Sequence, residues 1–372
     1  MSHKCFFFAG GGTGGHIYPA VAVAYKIVEL EPAARIHFFC STRSIDEQIL
    51  AQTGFEFTTL PAKSFSIRAG KLIAFCTSFL KSCKIAREAI ADSKNVVVVG
   101  VGGFVAAPVC WAAHKHKVPT ALLNVDILPG RASRIIARWA NEIFVQFEET
   151  TQYFKRSGAK INVVGCPLRS GFNNPEPNKA IEQLGLDKEK KILLITGASS
   201  GSENINRAIC SLLDKLDTFA DDWQIVHLTG LNNYEQVKSK YGDAKISHKV
   251  LGYFDDMANL LAAADLVVGR SGAVSVAEYA AASVPSICMP YPYHRDMHQY
   301  LNAGKLVEVG AAVIVDDLPD EKDRSEWLTE ELEELMKDEN KRRQMAKACK
   351  RIANPKADLK IAEKLLKLAD SK

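Results

Sequence analysis

Residues Phe6–Pro19 read FFFAGGGTGGHIYP: an apolar run passes straight into glycines, a threonine and a histidine before a helical pattern begins. Phe6–Ala9 reads as a buried strand and Gly10–Gly15 as a tight turn, because glycine lets the backbone bend sharply and touch a ligand. A helix starting near His16 points its N–H groups and positive dipole end back at that turn, which suits a phosphate or a developing oxyanion. His16 stands where a general base is useful, since an unperturbed imidazole titrates near neutrality. Gly10, Gly12 and Gly15 also satisfy the dinucleotide spacing G-x-G-x-x-G. That use wants an acid at the tip of the second strand for the ribose. Here the second strand, Ile36–Cys40, runs into Ser41-Thr42-Arg43, so NAD or FAD is the lesser reading.

The same alternation continues outward from this stretch. Helical patterns are expected at about Pro19–Leu30, Ser44–Thr53, Lys71–Ala91 and Arg131–Ala140, with another from about Ala106. Between them lie apolar runs at Ile36–Cys40, Phe55–Leu60, Val96–Val99, Thr120–Leu123, Ile143–Val145 and Asn162–Val164. Near-continuous apolar strands separated by helices mean a parallel sheet covered on both faces. A polar, proline-bearing stretch, Gly171–Lys179, reads as a linker. Lys191–Thr196 (KILLIT) then enters Gly197-Ala198-Ser199-Ser200-Gly201 and restarts the order strand, glycine turn, helix. Further strands are expected at Gln224–Leu228, Lys249–Leu251, Leu266–Val268 and Ser286–Met289, and a helix over Ser275–Ala282.

Two stretches, VVVVGVGGFVAAPVCWAAHKHKVPTALL and DLVVGRSGAVSVAEYAAASVPSICMP, share one order: strand, glycine turn, alanine-rich helix, Val-Pro, strand. The fold class is therefore α/β, with two similar doubly wound domains over residues 1–165 and 181–345 and a linker at 166–180. Ligands of such sheets bind at the carboxyl ends of the strands, and two glycine-rich rims facing one cleft is the economical arrangement. Glu326–Lys372 reads as a pair of charged amphipathic helices. Whether the last one, within 346–372, packs back on the first domain is left open.

With 372 residues, 47% hydrophobic and 24% charged, the chain has the composition of a soluble globular protein. A net charge of +4 is too small to make nucleic acid a main partner. No signal peptide and no membrane-spanning run are read from the sequence. Nine cysteines without a C-x-x-C pair fit a reducing cytosol with unpaired thiols. The close histidine pairs His114/His116 and His294/His298 belong to no H-E-x-x-H, so surface or ligand contacts are expected rather than a metal.

Two stretches in the second half carry chemistry. Gly269-Arg270-Ser271-Gly272-Ala273-Val274-Ser275-Val276-Ala277-Glu278 sets a turn and a helix start beside a carboxylate able to take both hydroxyls of a ribose. The bland alternative is an exposed acid on a helix. Tyr293-His294-Arg295-Asp296-Met297-His298-Gln299-Tyr300-Leu301-Asn302-Ala303 reads as a polar loop suited to a sugar, or simply as a solvated loop.

Together the GGGTGGHIYP opening, the GVGGF turn, the YFDDM segment, RSGAVSVAEYAAASVP and DMHQYLNA resemble the MurG family of peptidoglycan N-acetylglucosaminyltransferases, from Phe6 to about Val315. The resemblance implies a GT-B fold, two Rossmann-like doubly wound domains facing a cleft, with UDP-GlcNAc held mainly by the C-terminal domain. It implies inverting, metal-independent transfer of N-acetylglucosamine to the muramyl 4-hydroxyl of lipid I, a polyprenyl-diphosphate-linked muramyl-peptide, with no cofactor. It also implies peripheral attachment to the cytoplasmic face of the cell membrane. Donor contacts fall on Thr13, Gly14, Gly15, Arg169, Ser199, Phe254, the run Ala273–Glu278, and Gln299. Amides and Ser199 suit a diphosphate, Arg169 adds a charge-assisted donor, and Gln299 suits sugar hydroxyls. His16 is the expected base, with Asp126 next.

The chain departs from the family on the acceptor side. Where the family has His-Glu-Gln-Asn, this sequence has Leu123-Asn124-Val125-Asp126, with Asn124 and Asp126 left as the acceptor-side candidates. Phe104 replaces the family tyrosine after the Gly-Gly pair. Alternatives are thus a related GT-B transferase with another lipid-linked acceptor, or an inactive nucleotide-sugar-binding scaffold. A nucleotide-sugar epimerase is a further GT-B option.

Arg68–Arg87 mixes Leu72, Ile73, Phe75, Phe79 and Leu80 with Lys71, Lys81, Lys84 and Arg87. An apolar patch ringed by cations fits an anionic membrane surface. On its own the segment reads as an amphipathic helix with its apolar face in the core; the resemblance favours the membrane.

Overall fold

Strand β1 (Cys5–Ala9) is buried along its whole length, as an apolar run is when helices cover both faces of its sheet. The computed structural model describes residues 3–12, 14–64, 69–198, 201–317 and 321–371. After β1 come α1 (Gly14–Leu30), β2 (Arg35–Ser41), α2 (Ser44–Ala51), β3 (Glu56–Leu60), α3 (Ala69–Ala91) and β4 (Val96–Gly100). Then follow α4 (Gly103–Lys115), β5 (Thr120–Asn124), α5 (Arg131–Ile136), β6 (Glu142–Val145) and β7 (Lys160–Val163). These strands form one parallel sheet in the order β3-β2-β1-β4-β5-β6-β7, with Phe8 opposite both Phe38 and Val99. The order reverses between β1 and β4. The carboxyl ends there are the switch point where such sheets take ligands.

The second half holds α6 (Pro177–Leu184), β8 (Lys191–Thr196), α7 (Glu203–Cys210), α8 (Leu213–Leu216), β9 (Trp223–Leu228), α9 (Tyr234–Lys240) and β10 (Ser247–Leu251). It continues with α10 (Met257–Ala263), β11 (Leu266–Gly269), α11 (Ala273–Ala282), β12 (Ser286–Cys288), α12 (His298–Val309), β13 (Ala312–Ile314), α13 (Glu321–Lys337) and α14 (Glu339–Cys349). Its sheet is again parallel, in the order β10-β9-β8-β11-β12-β13, and it switches direction between β8 and β11. Its core contains His227, whose ring nitrogens meet Tyr241 Oη at 2.9 Å and Asn206 Oδ1 at 3.0 Å. Burial pushes that imidazole down to about 3, so it is neutral.

Two compact units result, residues 1–169 with 356–372, and residues 170–355. Of the stretch 166–180 expected as linker, residues 166–169 belong to the first unit and the rest to the second, where α6 packs on α10 and the Glu176 N–H donates to Asn259 Oδ1 at 2.6 Å. Three helices, not a pair, fill the tail. The break after α13 comes at Asp338, which caps α14 by accepting from the Lys341 N–H at 2.8 Å. Arg342 Nη1 then donates to the carbonyls of Leu335 at 2.5 Å and Met336 at 3.0 Å, ending α13. Pro355 separates α14 from the third helix, α15 (Ala357–Asp370). Helix α15 belongs to the first unit and packs on α1, because Ile361, Leu365 and Ala369 recur one turn apart on one buried face.

Candidate active site

In the first unit the glycine turns after β1 and β4 lock together. Gly103 has φ +74°, and a Cβ on it would sit 2.9 Å from the Gly11 carbonyl oxygen. Gly102 has φ +97°, and a Cβ there would come within 3.1 Å of His16 Nε2. Only glycine fits either position. Helix α1 starts at Gly14 rather than near His16, so His16 lies in its first turn, half-buried, with its imidazole against the Gly102 backbone. Gly14 is buried and Gly15 exposed; Thr13 lies outside the described residues.

A carboxylate does reach this turn, from a place the sequence did not indicate. Asp46, in the first turn of α2, is fully buried. Its two oxygens accept the Gly12 N–H at 2.9 and 2.8 Å, and Oδ2 accepts the Ser41 N–H at 3.1 Å and the Ser41 hydroxyl at 2.5 Å. On the other side of Gly12, Arg43 Nη1 donates to its carbonyl at 2.7 Å, and the guanidinium lies 5.9 Å from the centre of the Phe104 ring. Strand β2 thus has no acid for a ribose at its tip; the acid that follows holds the glycine turn instead. Its only signal in the sequence was an acid at a helix start, which reads equally as a dipole partner.

The acceptor-side candidates lie at the carboxyl end of β5, two strands from β1, Asn124 as its last residue and Asp126 just beyond. Asn124 is buried and its Nδ2 donates to the Asp126 carbonyl at 2.7 Å, so its amide closes its own turn. Asp126 is half-buried beside it. Arg169 also falls in the first unit, with its guanidinium 4.7 Å from the centre of the Tyr18 ring on α1. The structure therefore brings Arg169 to the helix that bears His16.

The remaining donor candidates stand on the second unit. Ala273–Glu278 occupies the start of α11, with Ala273 and Val276 buried and Val274, Ser275, Ala277 and Glu278 half-buried. The Tyr279 hydroxyl donates to the Arg270 carbonyl at 3.0 Å and closes the turn before that helix. The polar stretch Tyr293–Ala303 is only half a loop, because α12 begins at His298; Gln299 is helical. Gln299 Oε1 accepts the Tyr291 N–H at 3.0 Å, and its carbonyl accepts the Ser271 hydroxyl at 2.9 Å. Gln299 is thus joined, through Ser271, to the turn that precedes α11. Phe254 is buried after β10, at the opposite edge of the sheet, and Ser199 lies outside the described residues. Among the described residues no group of His, Cys, Asp and Glu is placed to hold a metal ion.

Helix α3 keeps its cations outward but splits its apolar side chains, with Phe75 and Phe79 half-buried and others left exposed. Ser78 and Ser82 face inward, each hydroxyl donating back to a carbonyl of the same helix at 2.9 and 2.8 Å, and Ala86 and Ile90 are buried below them. Ile73 and Leu80 face outward at 67% and 68% exposure, with Leu72 also exposed. Lys71, Lys81, Lys84 and Arg87 are exposed around them, while Arg68 lies outside the described residues. No helix among the described residues is long and apolar enough to cross a membrane.

Comparison with known proteins agrees with this architecture. Residues 6–145 match the glycosyltransferase family 28 N-terminal domain and residues 192–363 its C-terminal domain. The UDP-N-acetylglucosamine--N-acetylmuramyl-(pentapeptide) pyrophosphoryl-undecaprenol N-acetylglucosamine transferase of Acetivibrio thermocellus is 34% identical over 358 residues, 95% of each chain. The crystal structure of MurG from Acinetobacter baumannii superposes with a TM-score of 0.73 at 23% identity, covering 98% of this chain and 99% of that one. A UDP-GlcNAc 2-epimerase from Neisseria meningitidis superposes nearly as well, at 0.69 with 14% identity over 98% and 100%, so likeness of fold alone does not separate transferase from epimerase. What separates them is identity carried across both domains, and by it the chain belongs to glycosyltransferase family 28 and, within it, to the MurG family of N-acetylglucosaminyltransferases.

Proposed function

We propose that the protein transfers N-acetylglucosamine from UDP-GlcNAc to the muramyl 4-hydroxyl of lipid I, forming lipid II in peptidoglycan synthesis, with inversion and without a metal. The observation that carries this reading is likeness to a transferase of that name over 95% of both chains. In the reaction the acceptor oxygen bonds to the anomeric carbon as the bond from that carbon to the UDP phosphate oxygen breaks. His16 takes the proton of the acceptor hydroxyl, and UDP departs as an anion. Arg169, Ser199 and the helix-end amides of the glycine turns stabilise the departing charge. Glu278 holds the ribose and Gln299 the sugar.

In EDTA, UDP-GlcNAc and UDP are expected to raise the melting temperature, whereas NADH is not. Ligand at about 100 times its Kd stabilises the native state by about 2.7 kcal/mol. A response to NADH alone overturns the donor assignment. Incubation with labelled UDP-GlcNAc and lipid I then tests the acceptor, the expected product being labelled lipid II.

A related transferase with another lipid-linked acceptor is the second reading. It is favoured by Asn124, which stands in place of the family glutamate and donates from Nδ2 to the Asp126 carbonyl, and by Phe104, which packs under Arg43 with no hydroxyl to offer. Labelled product from a lipid extract, with none from lipid I, would establish it.

Attachment to an anionic membrane surface belongs to the same reading, and exposed Ile73 and Leu80 support it. Each nearby Lys or Arg contributes about 1 kcal/mol, and inserted side chains add about 25 cal/mol per Å². Co-sedimentation with anionic vesicles is expected to be salt-sensitive and to be lost in Ile73→Ser/Leu80→Ser, with melting unchanged. Lys81→Glu/Lys84→Glu is expected to weaken it in the same way. Undiminished sedimentation of both variants would remove α3 from the membrane face.

A further inference from the structure

We propose that Asp317 is a positioning residue for the nucleotide-sugar half of the reaction, holding Arg270 so that one guanidinium ties together the segments leaving β8, β11, β12 and β13. The proposal rests on the UDP-GlcNAc reading above. Asp317 follows β13 and its side chain is fully buried. Oδ2 accepts Arg270 Nη2 at 2.8 Å, Oδ1 accepts Arg324 Nη1 at 3.3 Å, and both oxygens accept Asn204 Nδ2 at 3.0 Å. Arg270, directly after β11, is itself buried. Its Nη2 also donates to Ser202 Oγ at 2.7 Å, and its Nη1 to the carbonyls of Met289 at 2.8 Å and Pro290 at 3.1 Å.

Three of the tied segments carry a donor candidate. Ser202 follows the stretch that bears Ser199 and caps α7 by accepting the Ile205 N–H. Met289 and Pro290 lead into Tyr291, whose N–H is held by Gln299. The carbonyl of Arg270 is held by Tyr279, one residue past Glu278 on α11. A planar guanidinium makes these bonds at fixed angles, which an ammonium cannot do. Desolvating such an ion cluster is costly, and apolar replacements of buried ion pairs are often neutral or stabilising. Stability is therefore a poor account of it, whereas registration of three ligand-bearing segments is a direct one.

The test is UDP titration calorimetry and donor kinetics on the full chain, reading wild type first, then Asp317→Asn and Arg270→Lys. In Asp317→Asn the Kd for UDP and the KM for UDP-GlcNAc are expected to rise about 10-fold or more, the scale on which outer-shell groups act. Turnover at saturating donor is expected to change less than about threefold, since the reacting groups are untouched. Arg270→Lys keeps the charge beside Asp317 but cannot span Ser202 and the two carbonyls, and is expected to move Kd and KM the same way. If wild type binds UDP and Asp317→Asn binds it equally, the proposal is overturned, whatever happens to the melting temperature. If Asp317→Asn does not fold, Arg270→Lys decides, and unchanged Kd and KM overturn the proposal. Failure of wild type to bind UDP overturns the donor reading itself and this proposal with it.

Discussion

His16→Ala is expected to lower turnover by roughly two to four orders of magnitude, the usual worth of a positioned general base, while UDP binds nearly as it does to wild type. The expectation comes from the place of the imidazole, in the first turn of α1 and against the Gly102 backbone at the switch point of the first sheet. Because the ring packs there, alanine removes volume as well as a base. His16→Gln separates the two effects, since it fills much of the same space beside Gly102 without taking a proton. Both variants are expected to lose turnover alike and to melt close to wild type. If either keeps near-wild-type turnover, His16 is a packing residue and the base lies elsewhere, with Asp126→Asn the next variant to assay.

Asp46→Ala is expected to destabilise the first unit by about 2–4 kcal/mol, the scale set by stranding buried donors and losing hydrogen bonds to a charged group. The Gly12 N–H, the Ser41 N–H and the Ser41 hydroxyl all lose their acceptor at once. Asp46→Asn keeps the size but turns an NH2 toward backbone N–H groups, so it too is expected to destabilise. Turnover is expected to fall further than the unfolded fraction explains, because Gly12 leads directly into the turn before His16. Urea unfolding alongside kinetics measures both. Wild-type midpoint and turnover in Asp46→Asn would show that Arg43, on the carbonyl side of Gly12, holds the turn without it.

Not all of the local structure around the candidate residues was equally legible. The strand, glycine turn and helix start that carry His16, Gly14 and Gly15 could be read because that order is a local pattern. So could the α11 run Ala273–Glu278, for the same reason. Gln299 was named but misplaced on a loop, since histidines, tyrosines and an aspartate mask the start of α12. The apolar residues of α3 were visible, yet their side was not. Ser78 and Ser82 are buried with Ala86 and Ile90 while Ile73 and Leu80 are exposed, a division that helical periodicity alone does not give.

The sequence by itself determined that two parallel α/β sheets form, that each carries glycine turns at strand ends, and to which family the chain belongs. Strand burial, glycine turns and family motifs are written in contiguous residues, so they survive without knowledge of what lies beside them. Only the tertiary structure decided that Asp46 grips Gly12, that Asp317 holds Arg270, and that α15 joins the first unit. In each case the partners are far apart in the chain. Which carboxylate meets which donor is set by strand order and by the need to satisfy every buried polar group. Spacing along the sequence does not encode either one.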